Sequence, residues 1–399
     1  MLCVHRILNA ISAIIFSMLS SNKVNHKIIL ILDVQSSIIR ASLLVVGDEI
    51  PKVIFTHSVE TKSSDVRDDG ALIQSSLKAI HDCVQACMRF VHHGENFAQY
   101  SHLKKKIDSV HYILSSPWIV SEAKMISKQF EKDTSISEKY VYDLIDEDRE
   151  KILKSGQGLE VIEQKIFDVR LNSYPVTVWK NKPAKTLDVS FTVSVASSKM
   201  VAFFIEEFKH IVHHSKINFH SSLLLQYIGI EKVLEPGQNY CLIHVHGNET
   251  DASIILKKSC IFFGSFSFGV KDFVQKLAKE TTNAYQAADS LLSLYVGNKL
   301  DSGLNETNIQ AIQKIANEWL MELKKTLAKQ KFDIKPPMSV IVTASLHDDC
   351  FVKVIRDSFP GVNVYVLTVD DLLTRVTFDR FAERGRLVAL YSIAIHSLL

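Results

Sequence analysis

The amino-acid sequence predicts a two-lobed α/β protein with a small α+β subdomain inserted into it. Three observations carry this reading. A meander of β-branched strands joined by short polar turns opens at Lys27 and recurs at Asn239, each time followed by a helical pattern. Towards the C terminus apolar strands alternate with helices, which implies parallel pairing. Between the two meanders, residues 119–200 change to polar helical and alternating tracts.

At 399 residues the chain is long enough for two or three compact units. Hydrophobic content of 47%, charged content of 23% and only 8 Pro describe an ordered chain without long linkers. Lys and Arg total 46 against 44 Asp and Glu, so no global positive field gathers nucleic acid, and nucleic acid is not expected as a partner. The run Lys104, Lys105, Lys106 reads as a solvated loop before a strand. Cys3, Cys83, Cys87, Cys241, Cys260 and Cys350 are too scattered for a disulfide framework, and a reducing cytoplasm fits them. Cys83 and Cys87, four apart on a helical pattern with no second ligand pair, read as buried thiols rather than a metal site. His213, His214 and His220 read in the same way.

The elements follow in order. Residues 1–26 are expected to form an amphipathic helix: the apolar run over 7–19 is shorter than the ~20 residues of a membrane-spanning helix, and His5, Arg6, Asn9, Ser12, Ser17 and Ser20 share one arc of a helical wheel. Such a helix docks on the body or lies in a membrane interface through residues 5–20, two readings of nearly equal weight, with a signal-peptide core third. Residues 27–118 form the first lobe, with strands KIILILDV, IIRASLLVV and PKVIFTHSVE, a helix over 71–93 and the strand SVHYILSS at 109–116. Residues 119–200 form the inserted subdomain. Connecting helices at 199–214 and 221–234 occupy most of 201–235, before the Pro236-Gly237 turn. The second lobe, 236–340, repeats the meander and adds a helix from Val270 that continues through AYQAADSLLSLYV, then a long helix from Asn308. Residues 341–399 complete an apolar strand, add VNVYVL and end in a helix that closes the cleft.

Two strand-turn-strand units that face each other across a cleft can hold phosphates between their turns. The first turn reads Leu32-Asp33-Val34-Gln35-Ser36-Ser37, and the second reads His244-Val245-His246-Gly247-Asn248-Glu249-Thr250-Asp251 with Gly269 before the next helix. A third element after an apolar strand reads Val342-Thr343-Ala344-Ser345-Leu346. These three, in order, resemble the phosphate and adenosine turns of the actin-like ATPase superfamily. The tract Ser115-Ser116-Pro117-Trp118 and the later VIEQKIFDVRLNSYPV resemble the start and body of the inserted subdomain in FtsA- and PilM-like proteins. The resemblance covers most of residues 27–399 and implies an actin-like (ribonuclease H-like) fold. It implies nucleotide-binding roles for Asp33, Ser36, Ser37, Gly247, Thr250, Asp251, Thr343 and Ser345, with Asp33 towards a metal. Taken singly, Asp33 reads more readily as a turn residue capping a hairpin, and Thr250 and Asp251 as a polar tip.

The implied cofactor is ATP or ADP with Mg²⁺, but the motifs depart from the family at the positions its chemistry needs. Gln35, His246, Asn248, Ala344 and Ser345 stand where glycines let backbone N–H groups reach phosphate oxygens, and His244 stands where a carboxylate is usual. The expectation is therefore weak or lost nucleotide binding and no hydrolysis. By resemblance, the chain is a scaffold or adaptor peripheral to the inner face of the cytoplasmic membrane, with cell-division or type IV pilus-assembly proteins as partners. Asn172, Ser173 and Tyr174 of the insert are the expected contacts. The competing class is an active ATP-binding enzyme of the actin and sugar-kinase superfamily, which would keep glycine-rich turns and a base carboxylate such as Asp33 facing the cleft.

Overall fold

A computed structural model describes residues 26–47, 49–61, 69–93, 95–209, 216–234, 237, 239–300, 306–329, 334, 338–344 and 348–399. The expected N-terminal helix, apart from His26, lies outside them, and so does Ser345.

The first meander is β1 (Lys27–Val34), β2 (Ile38–Val46) and β3 (Lys52–Glu60), followed by helix α1 (Asp69–His93) and strand β4 (Ser109–Leu114). Much later come β9 (Lys216–Ser221) and β15 (Thr377–Phe378), giving a sheet ordered β15-β3-β2-β1-β4-β9. The second meander is β10 (Asn239–Val245), β11 (Thr250–Leu256) and β12 (Ser259–Phe266), joined by β13 (Ser339–Ala344) and β14 (Asn363–Val366) in the order β12-β11-β10-β13-β14. In both sheets the meander pairs antiparallel and the next two strands add in parallel on the other side of its first strand. One topology is thus built twice.

The first strand of each meander is central and buried on both faces, which is why KIILILDV and NYCLIHV are nearly continuous apolar runs. Strand period two divides each between two cores. Ile28, Leu30, Leu32 and Val34 face a core under α1 and α3 (Ser198–Lys209), whereas Ile29 and Ile31 face the centre of the molecule. In the second sheet Cys241, Ile243 and Val245 pack under α5 (Val270–Glu280) and α7 (Glu306–Ala328), while Tyr240 and Leu242 face the centre. The centre is filled by two helices, α4 (Ser222–Val233) and α10 (Arg386–Leu398), so the lobes share one hydrophobic core. Gly229 permits this contact, because a Cβ there would lie 2.8 Å from the Leu390 carbonyl oxygen.

A third sheet, ordered β5-β8-β6-β7, comprises β5 (Ile119–Ile136), β6 (Leu159–Leu171), β7 (Tyr174–Pro175) and β8 (Lys182–Ser197). Helix α2 (Glu138–Ser155) packs on it around Val141, Ile145, Val189 and Phe191. Its start is set by Ser137, whose hydroxyl accepts from the Tyr140 N–H at 3.1 Å.

The structure corrects several sequence expectations. The single helix expected from Val270 to Val296 is two, α5 and α6 (Tyr285–Val296), broken where Thr282 takes a left-handed φ of 54°. β-Branched Thr281 and Thr282 and the turn-forming Asn283 explain the break. Strand β9, between the two connecting helices, was not anticipated, because a six-residue strand holds only Ile217 and Phe219 in alternation. Helix α8 (Asp348–Ser358) links the parallel strands β13 and β14, and α9 (Val369–Leu372) is a single turn capped by Thr368. Cys83 and Cys87 are buried on α1, and Lys104 to Lys106 are exposed before β4, as read from the sequence.

Candidate functional site

The three turns singled out in the sequence converge at one end of the central core, and every described residue of the implied nucleotide site is buried. Asp33, one residue before the end of β1, is 2% exposed. Its Oδ2 accepts from Gln35 Nε2 at 2.9 Å and from Arg40 Nη1 at 3.1 Å across the hairpin. Burial raises the Asp33 pKa, with the Arg40 guanidinium opposing that rise. The Ser36 carbonyl accepts from the Thr61 hydroxyl at 2.7 Å, and Ser37 O accepts from Thr61 N at 3.1 Å. These bonds fix the first turn against the start of the chain that leaves β3.

In the second turn, Asp251 Oδ2 accepts from His246 Nε2 at 2.7 Å. The same oxygen accepts from the Ser116 backbone N–H of the first lobe at 3.4 Å. His244 is also fully buried, and its ring crosses that of His246 at 90° with centroids 3.9 Å apart. Thr343 Oγ1 donates to Gln226 Oε1 at 2.8 Å, so at its 2.7 Å contact with His244 Nδ1 it must accept. That assigns the His244 proton to Nδ1, in keeping with burial holding its pKa well below the usual imidazole range. The polar chain continues from Gln226 Nε2 to Ser222 Oγ at 3.0 Å and from there to Tyr391 OH at 2.8 Å. Thr250 is spent on structure: its hydroxyl donates to Phe268 O at 2.6 Å and accepts from Trp319 Nε1 at 3.0 Å.

Several features of these residues stand against a nucleotide with its metal, although Asp33 Oδ1, Ser36 Oγ, His244 Nε2 and His246 Nδ1 are buried without a hydrogen-bond partner. A Cβ built on Gly247 would overlap both the Cβ and the hydroxyl of Ser37, so the two phosphate turns already touch. The first N–H groups of α5, the end of a helix that would cradle an anion, are committed to protein: Val270 N donates to His246 O at 2.9 Å and Lys271 N to Gly247 O at 2.6 Å. Asp33, the expected metal carboxylate, is ion-paired with Arg40. Beside the turns, a cavity of about 250 Å³ lined by Arg40, Ala344, Arg384 and Arg386 remains, below the ~300 Å³ at which small-molecule sites begin. Among the described residues no group of three or more His, Cys, Asp or Glu side chains is arranged to hold a metal ion.

Arg40, Ser116, Gln226, Lys271 and Tyr391 belong to this site and were not assigned to it from the sequence. For Arg40 a signal existed, since a charge inside the apolar strand IIRASLLVV requires a partner. The others are ordinary helix and loop residues that the fold brings in. Asn172, Ser173 and Tyr174 lie elsewhere, at the tip of the β6–β7 hairpin. Asn172 and Ser173 take φ of 50° and 70°, and Tyr174 is 74% exposed. The Asn172 side chain is used internally, its Oδ1 accepting from Lys185 N at 2.8 Å and Thr186 N at 3.1 Å.

Among the described residues no helix is long and apolar enough to cross a membrane. No protein-family model matches the chain, and no curated protein matches it in sequence. Solved structures do. The chain is similar to PilM in a PilM–PilN type IV pilus biogenesis complex, with a TM-score of 0.59 and 13% identity over 92% of this chain and 96% of that one. It also aligns with the ethanolamine utilization protein EutJ from Carboxydothermus hydrogenoformans, at a TM-score of 0.45 and 9% identity over 93% of this chain and 89% of that one. A Bacteroides thetaiotaomicron protein with an actin-like ATPase fold aligns at a TM-score of 0.41 and 11% identity, over 87% of this chain and 96% of that one. With its twice-built sheet, the two helices between the lobes and a likeness to PilM over nearly the whole length of both chains, the chain has the actin-like ATPase fold.

Proposed function

We propose that this protein is a protein-binding scaffold on the actin-like fold that works without nucleotide, in a type IV pilus-assembly setting at the inner face of the cytoplasmic membrane. The observation that carries this reading is the contact between Ser37 and Gly247, which brings the first and second turns together where the resemblance would put a phosphate. A scaffold needs the fold's shape and surfaces, whereas turnover needs open, glycine-lined turns and a free carboxylate. Likeness to PilM, whose solved structure is a complex with PilN, supports the pilus setting and makes a PilN-type protein the partner to try.

Two measurements on the full-length protein test the reading. Thermal melting with millimolar Mg-ATP or Mg-ADP is expected to show no shift; a dose-dependent rise that Asp33→Ala removes would overturn nucleotide independence. Calorimetry against the PilN-type protein of the same genome is expected to show binding, weakened at least about tenfold by Tyr174→Ala if the exposed hairpin is a contact. Absence of any binding would sink the scaffold role in this setting.

A further inference from the structure

The residues that fill the cleft do more than exclude a ligand. Nucleotide-free operation leaves open what holds two lobes together at the mouth of a cleft, and four sets of contacts bear on it. Asp251, on β11 of the second lobe, accepts with one oxygen from His246 and from the Ser116 N–H of the first lobe. Ser37, in the first-lobe turn, packs directly on Gly247 of the second. Lys271, at the start of α5, reaches across to the first lobe, donating to Ser37 O at 3.5 Å and lying 3.7 Å from a Glu60 carboxylate oxygen. Beneath them, the chain from His244 through Thr343, Gln226 and Ser222 to Tyr391 ties β10 and β13 to both central helices.

We infer that this junction is a built-in lobe lock, with Asp251 as its hub. The carboxylate assigned by resemblance to nucleotide binding instead joins a buried imidazole to the backbone of the opposite lobe. A ligand that bridges two lobes holds them closed only while it is bound, so closure then follows ligand concentration. Here the bridging groups are covalently part of the chain and always present. The lobes are held in one relation, and surfaces that span them are presented constantly. Opening the junction breaks the Ser116–Asp251 bond and leaves a carboxylate that is only 4% exposed short of one of its two donors. The inference rests on the nucleotide-free reading of the same site.

The test is amide hydrogen exchange on the full-length protein, followed over residues 35–38 and 115–118, with and without Mg-ATP. The Ser116 N–H reports on the lock directly, since it is one of the bonds. Without nucleotide, both segments are expected to exchange at least ~100-fold more slowly than an unstructured peptide, with no change on adding Mg-ATP. Asp251→Ala is expected to speed exchange by roughly tenfold or more at 115–118, the factor that corresponds to one lost hydrogen bond. Lys271→Met removes only the partly exposed bridge, and is expected to loosen 35–38 and leave 115–118 protected. It keeps the test usable if Asp251→Ala does not fold.

Unprotected segments in the nucleotide-free protein, or exchange unchanged in the variants that fold, would overturn the lock while leaving the scaffold reading intact. Slower exchange with Mg-ATP, accompanied by a melting shift, would overturn both. Partner binding without protection would separate the two ideas cleanly.

Discussion

Glu249 sits in the second turn at 5% exposed, with Ser267 Oγ donating to its Oε1 at 3.0 Å, and burial pushes its carboxyl up to about 7. An unfolded chain gives up this proton near ~4.3. Between those values the native state binds more protons than the unfolded state, so stability falls as pH rises through the window. The loss is on the order of 3 kcal/mol by pH 8. Glu249→Gln keeps an acceptor for Ser267 and cannot ionise; urea unfolding from pH 4 to 8 is expected to show a shallower fall and a more stable protein at pH 8. An unchanged slope would mean that Glu249 is not the group responsible. At this scale, polar residues inside apolar strands, such as Asp33 and His244, could be recognised as needing partners. Which partners they take could not be read, because Thr343 lies 99 residues from His244.

Gly269 shows how an element can depend on a missing side chain. Its φ of −120° is open to any residue, so its value lies in close approach. A Cβ there would overlap the backbone of His246 and Gly247, which receive the first N–H groups of α5. Gly269→Ala is therefore expected to cost about 1–3 kcal/mol in chemical denaturation by pushing α5 off the turn. A neutral effect would show that the turn can yield. The long elements were legible: the meander strands, α1 and α7 all stand where periodicity placed them. Short or interrupted ones were not. Strand β9 is too brief for a period, and the break between α5 and α6 rests on one left-handed residue, Thr282.

The molecule is organised by the core between its sheets, where α4 and α10 lie against strands of both lobes. Leu390, fully buried on α10, touches this shared core, and its carbonyl faces Gly229 of α4. Leu390→Ala is expected to cost about 2–5 kcal/mol, as for other buried leucines whose site cannot collapse. Because both sheets use this core, unfolding signals from Trp118 in the first lobe and Trp319 in the second are expected to shift together. Separate shifts would mean that the lobes are stabilised independently.

Periodicity and composition sufficed for the repeated meander and the apolar central strands, and resemblance to the actin-like turns for the departure of Gln35, His246 and Asn248 from their glycine pattern, since each depends on residues close together in the chain. Local sequence therefore determined the fold class and the loss of glycine from the turns. What occupies the space those turns enclose was decided only by tertiary structure. The bond from Ser116 to Asp251 spans 135 residues, and the chain from His244 to Tyr391 crosses four elements. A hydrogen bond acts over about 3 Å, so its partners are set by where the sheets and central helices place backbone and side chain, whatever their distance in sequence.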